Sequence, residues 1–301
     1  MTIDKQMDRF CGCLLGLATG DAVGTTLEFR SRGSFSSISD MVGGGPFNLA
    51  VGEWTDDTSM ALCLATSLIE KNGFDATDQM DRYCNWYEHG YLSSTGKCFD
   101  IGSTTRAALQ RYRQTKNPFS GSADANAAGN GSIMRLAPVP LFYFPDTQQA
   151  VQHAIESSKT THAAQECLDA CYLLAEVLCR ALGGQDKNAV LLNTNASNLV
   201  SPSLKTIATG SYLTKTEADI RGSGYVVQSL EAALWCFATT DTFEQAVLKA
   251  ANLGDDADTT AAICGQVAGA FYGESGIPAR WVQRLKMGDE IRGLAVGLMR
   301  D

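Results

Sequence analysis

Histidine is nearly missing from this chain, with only His89, His153 and His162 among 301 residues. No His-Asp dipeptide occurs, which excludes the helical metal phosphohydrolases that use one; a histidine-rich zinc site is excluded with it. Proline is scarce too, at seven residues against a usual ~5% of a chain. Interior proline breaks helices, so the shortage predicts a helical body. A basic surplus is also absent, since 24 Lys and Arg face 33 Asp and Glu for a net charge of −9. A nucleic-acid face needs clustered cations to replace the counterions at phosphates, so a nucleic-acid partner is not expected. Any anionic ligand must be held by local dipoles or metal ions. The ten cysteines form no CxxC element and are spread through apolar stretches, as at Cys63, Cys84, Cys171, Cys179, Cys236 and Cys264. They read as free thiols in a reducing cytoplasm. The apolar run from Phe10 to Ala18 is too short to span a bilayer, and Asp4, Asp8 and Asp21 surround it. It predicts a buried helix of small residues rather than a signal peptide or membrane span.

What is present is helical periodicity from end to end, with no series of alternating strands. Hydrophobic residues make up 45% and charged residues 19%, which suits a folded globular chain. The pattern predicts helices near 4–19, 55–71, 75–89, 103–115, 147–158, 161–182, 224–238, 242–252, 258–272, 279–286 and 288–299. Asp75 and Thr242 are suited to N-caps, Gly183-Gly184 to closing the longest helix, and Pro278 to a first helical turn. The apolar segment 132–145 carries Pro138 and Pro140, so it predicts a broken helix. Residues 20–53 are rich in Gly and Ser, and 184–223 are polar without a strong period. One compact all-α domain over 1–301, with a long functional loop near 28–53, is the simplest organisation.

Two acidic clusters carry the strongest chemical signal. Trp54-Thr55-Asp56-Asp57-Thr58 precedes one apolar helix, and Gly254-Asp255-Asp256-Ala257-Asp258-Thr259-Thr260 opens another. N-capping accounts for one acid per helix start, worth roughly 0.3–1 kcal/mol. It does not account for two adjacent acids in one place and three within four residues in the other. A shared cation offsets their repulsion, and carboxylate and hydroxyl donors favour Mg²⁺, Mn²⁺ or Ca²⁺. Gly129-Asn130-Gly131-Ser132, followed by Ile133-Met134-Arg135, lets backbone N–H groups approach a ligand such as a pyrophosphate, although an Asn-Gly turn is also common for structural reasons. Cys98-Phe99-Asp100-Ile101-Gly102 sets an acid just before another helix, where a plain helix-start role suits it equally. His162 reads either as a cap or packing residue or as a functional one.

Taken in order, Gly16-Leu17-Ala18-Thr19-Gly20-Asp21-Ala22-Val23-Gly24, Glu28-Phe29, WTDDTSM, CFDIG, GNGSIMR, His162 and LGDDADTTAAICGQVAGAFYG at 253–273 resemble the ADP-ribosylglycohydrolase family. The CFDIG and LGDDADTT wording is most similar to the dinitrogenase-reductase-activating glycohydrolase branch, which acts on ADP-ribosyl-arginine. The resemblance implies an all-α orthogonal helical bundle and two divalent cations, Mg²⁺ or Mn²⁺. It implies Thr55, Asp56 and Asp57 as metal ligands from one side, and Asp256, Asp258 and Thr259 from the other. Asp255 stands where some relatives have glycine and is not counted as a ligand. The resemblance assigns Gly129, Asn130, Gly131, Ser132, Met134 and His162 to ADP-ribose, and places Glu28 on a mobile loop over the site. Asp100 matches the branch's acid/base, with Glu28 as the second candidate. An ADP-ribosylated protein is the implied substrate and ADP-ribose the product. The match is weakest between about 184 and 222.

The implied reaction cleaves the bond from the ribose anomeric carbon to an arginine nitrogen, through a transition state of oxocarbenium character. Rivals are the same fold acting on ADP-ribosyl-serine or another ADP-ribose derivative, and a non-catalytic ADP-ribose-binding or partner-blocking protein. A prenyl or terpene synthase also opposes acidic motifs around Mg²⁺, but it needs acids along a helix face, where this chain has Met60.

Overall fold

Gly12, Gly16, Gly20 and Gly24 recur at every fourth position, which places them on one face of a helix. The computed structural model describes residues 2–192 and 194–300, and that helix is α1 (Ile3–Gly24). Among the described residues there follow α2 (Asp56–Lys71), α3 (Ala76–His89), α4 (Ser103–Thr115), α5 (Pro138–Tyr143), α6 (Thr147–Lys159) and α7 (Gln165–Leu182). Then come α8 (Lys187–Leu192), α9 (Pro202–Ala208), α10 (Val226–Ala238), α11 (Phe243–Ala251), α12 (Ala257–Tyr272), α13 (Ala279–Arg284) and α14 (Gly288–Gly297). No strand longer than an isolated bridge occurs among the described residues. The fold is an all-α bundle, as expected.

The glycine face of α1 lies on a matching face of α12 made by Ala257, Ala261, Gly265 and Gly269. Gly12 meets Gly269 and Gly24 meets Ala257, so the two helices run antiparallel. A Cβ on Gly16 would stand 2.3 Å from the Gly265 carbonyl oxygen, and one on Gly20 would stand 2.1 Å from that of Ala261. Backbones this close bring the C-terminal end of α1 against the acidic N-terminal end of α12. The expected buried small-residue helix is therefore present, but it runs to Gly24 rather than 19. With the turn that follows, it is long and apolar enough to cross a membrane by length and composition, contrary to the expectation from the shorter run. Some 94% of its most apolar window is buried inside the protein, as suits a core helix.

Local punctuation explains most element boundaries. Asp75 accepts hydrogen bonds from the N–H groups of Thr77 and Asp78, and Thr242 accepts one from Gln245, so both cap as expected. Pro138 sits in the first turn of the short α5, which realises the broken helix expected at 132–145. Pro278 lies one residue outside α13, at its N-cap. The helix expected over 161–182 starts at Gln165 instead. The chain leaves α6 in a tight turn, with His162 N–H bonded to the Ser158 carbonyl and Ala163 N–H to that of Ser122. His162 thus precedes the helix rather than belonging to it. Helices α8 and α9 fall in the stretch that lacks a clear period, and both are short. All ten cysteines are free thiols. A second, smaller core of Met60, Met80, Tyr83, Trp86, Leu109, Tyr112 and Met134 packs α3 and α4 beside α2.

Candidate metal and ligand site

Asp21, a carboxylate inside the apolar α1, organises the first acidic cluster. Thr55 is the N-cap of α2, yet its side chain makes no capping bond of its own. Asp21 caps the helix from outside. Its Oδ1 accepts from the Thr55 N–H and hydroxyl, both at 2.9 Å, and its Oδ2 accepts from the Thr58 N–H at 3.0 Å and hydroxyl at 2.6 Å. Asp56 and Asp57, in the first turn of α2, are thereby spared from capping and turn toward α12. Thr259 Oγ1 donates to Asp57 Oδ2 at 3.2 Å, and Thr55 Oγ1 stands 3.3 Å from Asp258 Oδ2. The two clusters, about 200 residues apart in the chain, form one site.

Glu28 joins them from the end of α1. A single 3₁₀ turn over Thr25–Leu27 follows that helix. Phe29 N–H then donates to the Asp255 carbonyl at 2.7 Å, and Asp255 N–H donates to the Arg30 carbonyl at 2.8 Å. This reciprocal pair draws the loop inward. Glu28 is 4% exposed, and from this loop its carboxylate reaches into the acidic cluster. Oxygens of Glu28, Asp256 and Asp258 all lie within 4.8 Å of one another, close enough to share an ion.

Burial, and then mutual repulsion, sets the proton affinities here. Burial and the neighbouring Asp258 carboxylate push Asp256 and Asp21 up to about 7 and Asp100 up to about 9. The same two causes hold Glu28 and Asp57 far above the usual carboxylate range, and Asp56 is raised by burial and then by Asp100. Oδ1 of Asp57 and Oε2 of Glu28 are buried without a hydrogen-bond partner among the described residues. An all-oxygen donor set with orphaned lone pairs and unrelieved repulsion fits a hard divalent cation.

A cleft of ≈ 590 Å³ opens over the cluster. It is lined by Glu28, Asp56, Asp100, Gly129, Asn130, Gly131, Met134, His162, Asp256, Asp258 and Thr259 of the expected residues. Thr55 and Asp57 lie buried behind its wall, and Ser132 is buried without reaching the lining. The glycines of the 129–131 loop serve a purpose besides backbone approach. A Cβ on Gly131 would stand 2.7 Å from Cε1 of His162, so this glycine makes room for the imidazole. Asn130 reaches the other way, its Nδ2 donating to Asp256 Oδ2 at 2.7 Å.

Three non-glycine residues on the lining adopt left-handed backbone: Phe29 (φ 59°), Asp100 (φ 61°) and Asp255 (φ 56°). Such conformations are strained for L-residues and collect at functional sites. Phe29 is 66% exposed at the lip and heads an aromatic row, its ring centroid 6.2 Å from that of Phe47, which is 5.2 Å from Phe99.

Sequence reasoning missed three contributors. Asp21 was legible only as an acid stranded in an apolar helix. The α4 N-terminus, Gly102 to Thr105, lines the cleft with no side-chain cap, so its free N–H groups form a positive pole there. Ser223 came from the end of the stretch without a period, and Gly224 from the start of the helix expected at 224–238, which begins at Val226 instead. There the Gly222 and Gly224 carbonyls accept from Asp256 N–H at 2.9 Å and Asn130 N–H at 3.1 Å, tying the two ligand loops together.

Fold and site together define an all-α protein that gathers hard oxygen donors beneath a single cleft. The chain belongs to the ADP-ribosylglycohydrolase family, whose model matches residues 2–301. It is 46% identical to the ADP-ribosylarginine hydrolase Tri1 of Pseudomonas putida (strain GB-1), over 98% of this chain and 79% of the relative. It is 31% identical to the ADP-ribosyl-[dinitrogen reductase] glycohydrolase of Rhodospirillum rubrum, over 95% and 93% respectively. Of these two, the chain is therefore nearer to the first. A solved structure described as an ADP-ribosylglycohydrolase-related protein complex matches at a TM-score of 0.87 and 42% identity, covering 98% of each chain.

Proposed function

We propose that residues 1–301 act as one domain that hydrolyses the N-glycosidic bond between ADP-ribose and an arginine side chain of a modified protein. The observation that carries this reading is the convergence of Glu28, Asp256 and Asp258 with Asp56 and Asp57 beneath the cleft. Two divalent cations, Mg²⁺ or Mn²⁺, would be held by Thr55, Asp56 and Asp57 on one side and by Asp256, Asp258 and Thr259 on the other. When bound they supply a polarised water and positive charge at the ribose hydroxyls. The diphosphate takes the Gly129–Gly131 loop and the open N-terminus of α4, which offer dipoles where the net charge of −9 offers no attraction. The ribose then points down to the acids.

Breaking the anomeric C–N bond leaves positive charge on the ribose and calls for a proton at the departing guanidine nitrogen. Asp100 stands on the lining and is the first choice to move that proton, with Glu28 second. Water attack at the anomeric carbon completes the exchange. The ten free thiols support a reducing, cytoplasmic setting.

The test is incubation with an ADP-ribosyl-arginine protein, with and without Mg²⁺ or Mn²⁺, and with an ADP-ribosyl-serine substrate beside it. ADP-ribose should be released only with metal. Release from arginine should exceed that from serine by more than about tenfold, equivalent to about 1.4 kcal/mol. Equal rates, or a serine preference, overturn the acceptor assignment. Full activity after exhaustive chelation overturns the metal.

A further inference from the structure

Arg135 is buried to 0% exposure with no acidic partner among the described residues. Its guanidinium lies 4.7 Å from the Tyr83 ring centroid, Nη1 touches the Met60 sulfur at 3.8 Å, and Nε has no partner. Among the described residues, the single oxygen it reaches is Thr161 Oγ1, to which Nη2 donates at 2.6 Å. Thr161 Oγ1 in turn lies 2.9 Å from Nδ1 of His162. Arginine donates and never accepts, so the direction of this chain is set at one end. The buried threonine hydroxyl has one proton, and Nδ1 is the acceptor within its reach. The opposite arrangement would bring two N–H donors onto one hydroxyl and strand its proton in a site that water does not reach.

The remaining nitrogen of His162, Nε2, therefore carries the hydrogen. The ring is held where this matters. His162 N–H is bonded to the Ser158 carbonyl at 2.7 Å, Ser158 Oγ returns a bond to the His162 carbonyl at 2.7 Å, and the ring packs so near Gly131 that a Cβ there would stand 2.7 Å from Cε1. Burial and then the Arg135 charge lower its proton affinity to about 3, which keeps the imidazole neutral. His162 lines the cleft between Gly129, Gly131 and Met134.

We propose that Arg135 and Thr161 are positioning residues that lock His162 in its Nε2–H tautomer, making it a fixed neutral donor to an anionic oxygen of the ligand. An acid-lined cleft has many acceptors, and a histidine free to exchange tautomers would offer part of its population as one more. A donor that is neutral and cannot turn acceptor favours a diphosphate oxygen without adding a titrating charge beside the metal ligands. The choice of ADP-ribose as that ligand rests on the function proposed above.

Nitrogen NMR of the three imidazoles at pH 7, with the full-length protein and Mg²⁺ present, tests the lock directly. A His162→Gln sample assigns the resonances. The wild type should show His162 as the Nε2–H tautomer alone, and ADP-ribose should shift that N–H signal. Thr161→Val should release the tautomer and weaken ADP-ribose binding by calorimetry about fivefold to tenfold, the scale of one hydrogen bond. Thr161→Ser, which keeps the hydroxyl, should restore both. An Nδ1–H or doubly protonated ring in the wild type overturns the lock. A locked ring whose signal ignores ADP-ribose that calorimetry shows to be bound overturns the donor role. Wild-type protein that does not bind ADP-ribose by calorimetry, its tautomer being locked, instead overturns the proposed function and the ligand with it.

Discussion

Asp21 of α1 accepts both the backbone N–H and the hydroxyl of Thr58, 37 positions further along, and so caps a helix to which it does not belong. Helix starts are ordinarily capped by the residue just before them. Delegating the cap to α1 leaves Asp57 Oδ2 to accept from Thr259 across the site, and Asp56 to line the cleft, instead of binding their own backbone. The capping residue and the acids left free at the site are thereby separate side chains.

Asp21→Asn should therefore be destabilising although it removes a charge from a repulsive cluster. The amide keeps one acceptor for Thr55 but sets an N–H donor against those of Thr58. A buried donor left unsatisfied costs about 1–3 kcal/mol. Urea unfolding at fixed metal concentration measures it, and an unchanged midpoint would show that the cap is dispensable.

Gly20→Ala should be far worse than its one methyl group suggests. The added Cβ would meet the Ala261 carbonyl at 2.1 Å, backbone against backbone, where neither helix can yield alone. Overpacking costs typically ~1–3 kcal/mol, and forcing α1 off α12 also separates Glu28 from Asp258. Divalent-cation affinity should fall together with melting temperature. Gly293→Ala in α14 is the control, since nothing lies within 4 Å of its Cβ. It should be neutral or stabilising by up to ~1 kcal/mol. Equal effects at the two positions refute the close contact as the cause.

The metal-free protein should lose stability as pH rises. A carboxyl whose folded pKa lies above its unfolded value, ~4, binds its proton more tightly in the fold. Its contribution is complete below that unfolded value and disappears as pH climbs through the folded one. For Asp21 and Asp256 that climb ends near 7, and for Asp100 near 9. The melting temperature in chelator should therefore fall between pH 5 and pH 8, and Mg²⁺ or Mn²⁺ should recover most of the loss by favouring the charged forms. Asp57→Asn should leave the chelated protein as stable or more so, while removing the recovery. A flat profile in chelator contradicts the repulsive cluster.

Asp100 and Glu28 should separate in their kinetics. Asp100→Asn keeps the shape but cannot pass a proton, so single-turnover rates should drop about 10²- to 10⁴-fold with little change in ADP-ribose affinity. Glu28→Gln, at the centre of the shared-ion group, should weaken metal binding and turnover together. If the glutamine variant alone abolishes turnover while metal affinity holds, the acid/base role passes to Glu28.

Much of this molecule was written in one dimension. The 3.6-residue period of apolar side chains determined the long helices. Unbalanced acids at 55–58 and 254–260 marked the two segments that the fold brings together. Those signals are local, because periodicity, capping and like-charge repulsion act over a few residues. Tertiary structure alone decided the rest. Glu28 enters the cluster because Phe29 N–H bonds to the Asp255 carbonyl and Asp255 N–H to that of Arg30, and Asp21 becomes a cap because the fold sets α1 against Thr55 and Thr58 at the start of α2. His162 lies outside its expected helix because the turn after α6 bonds to Ser158 and Ser122. Contacts between residues 30 to 260 positions apart depend on which faces meet once the core is buried, and no short window of sequence contains that information.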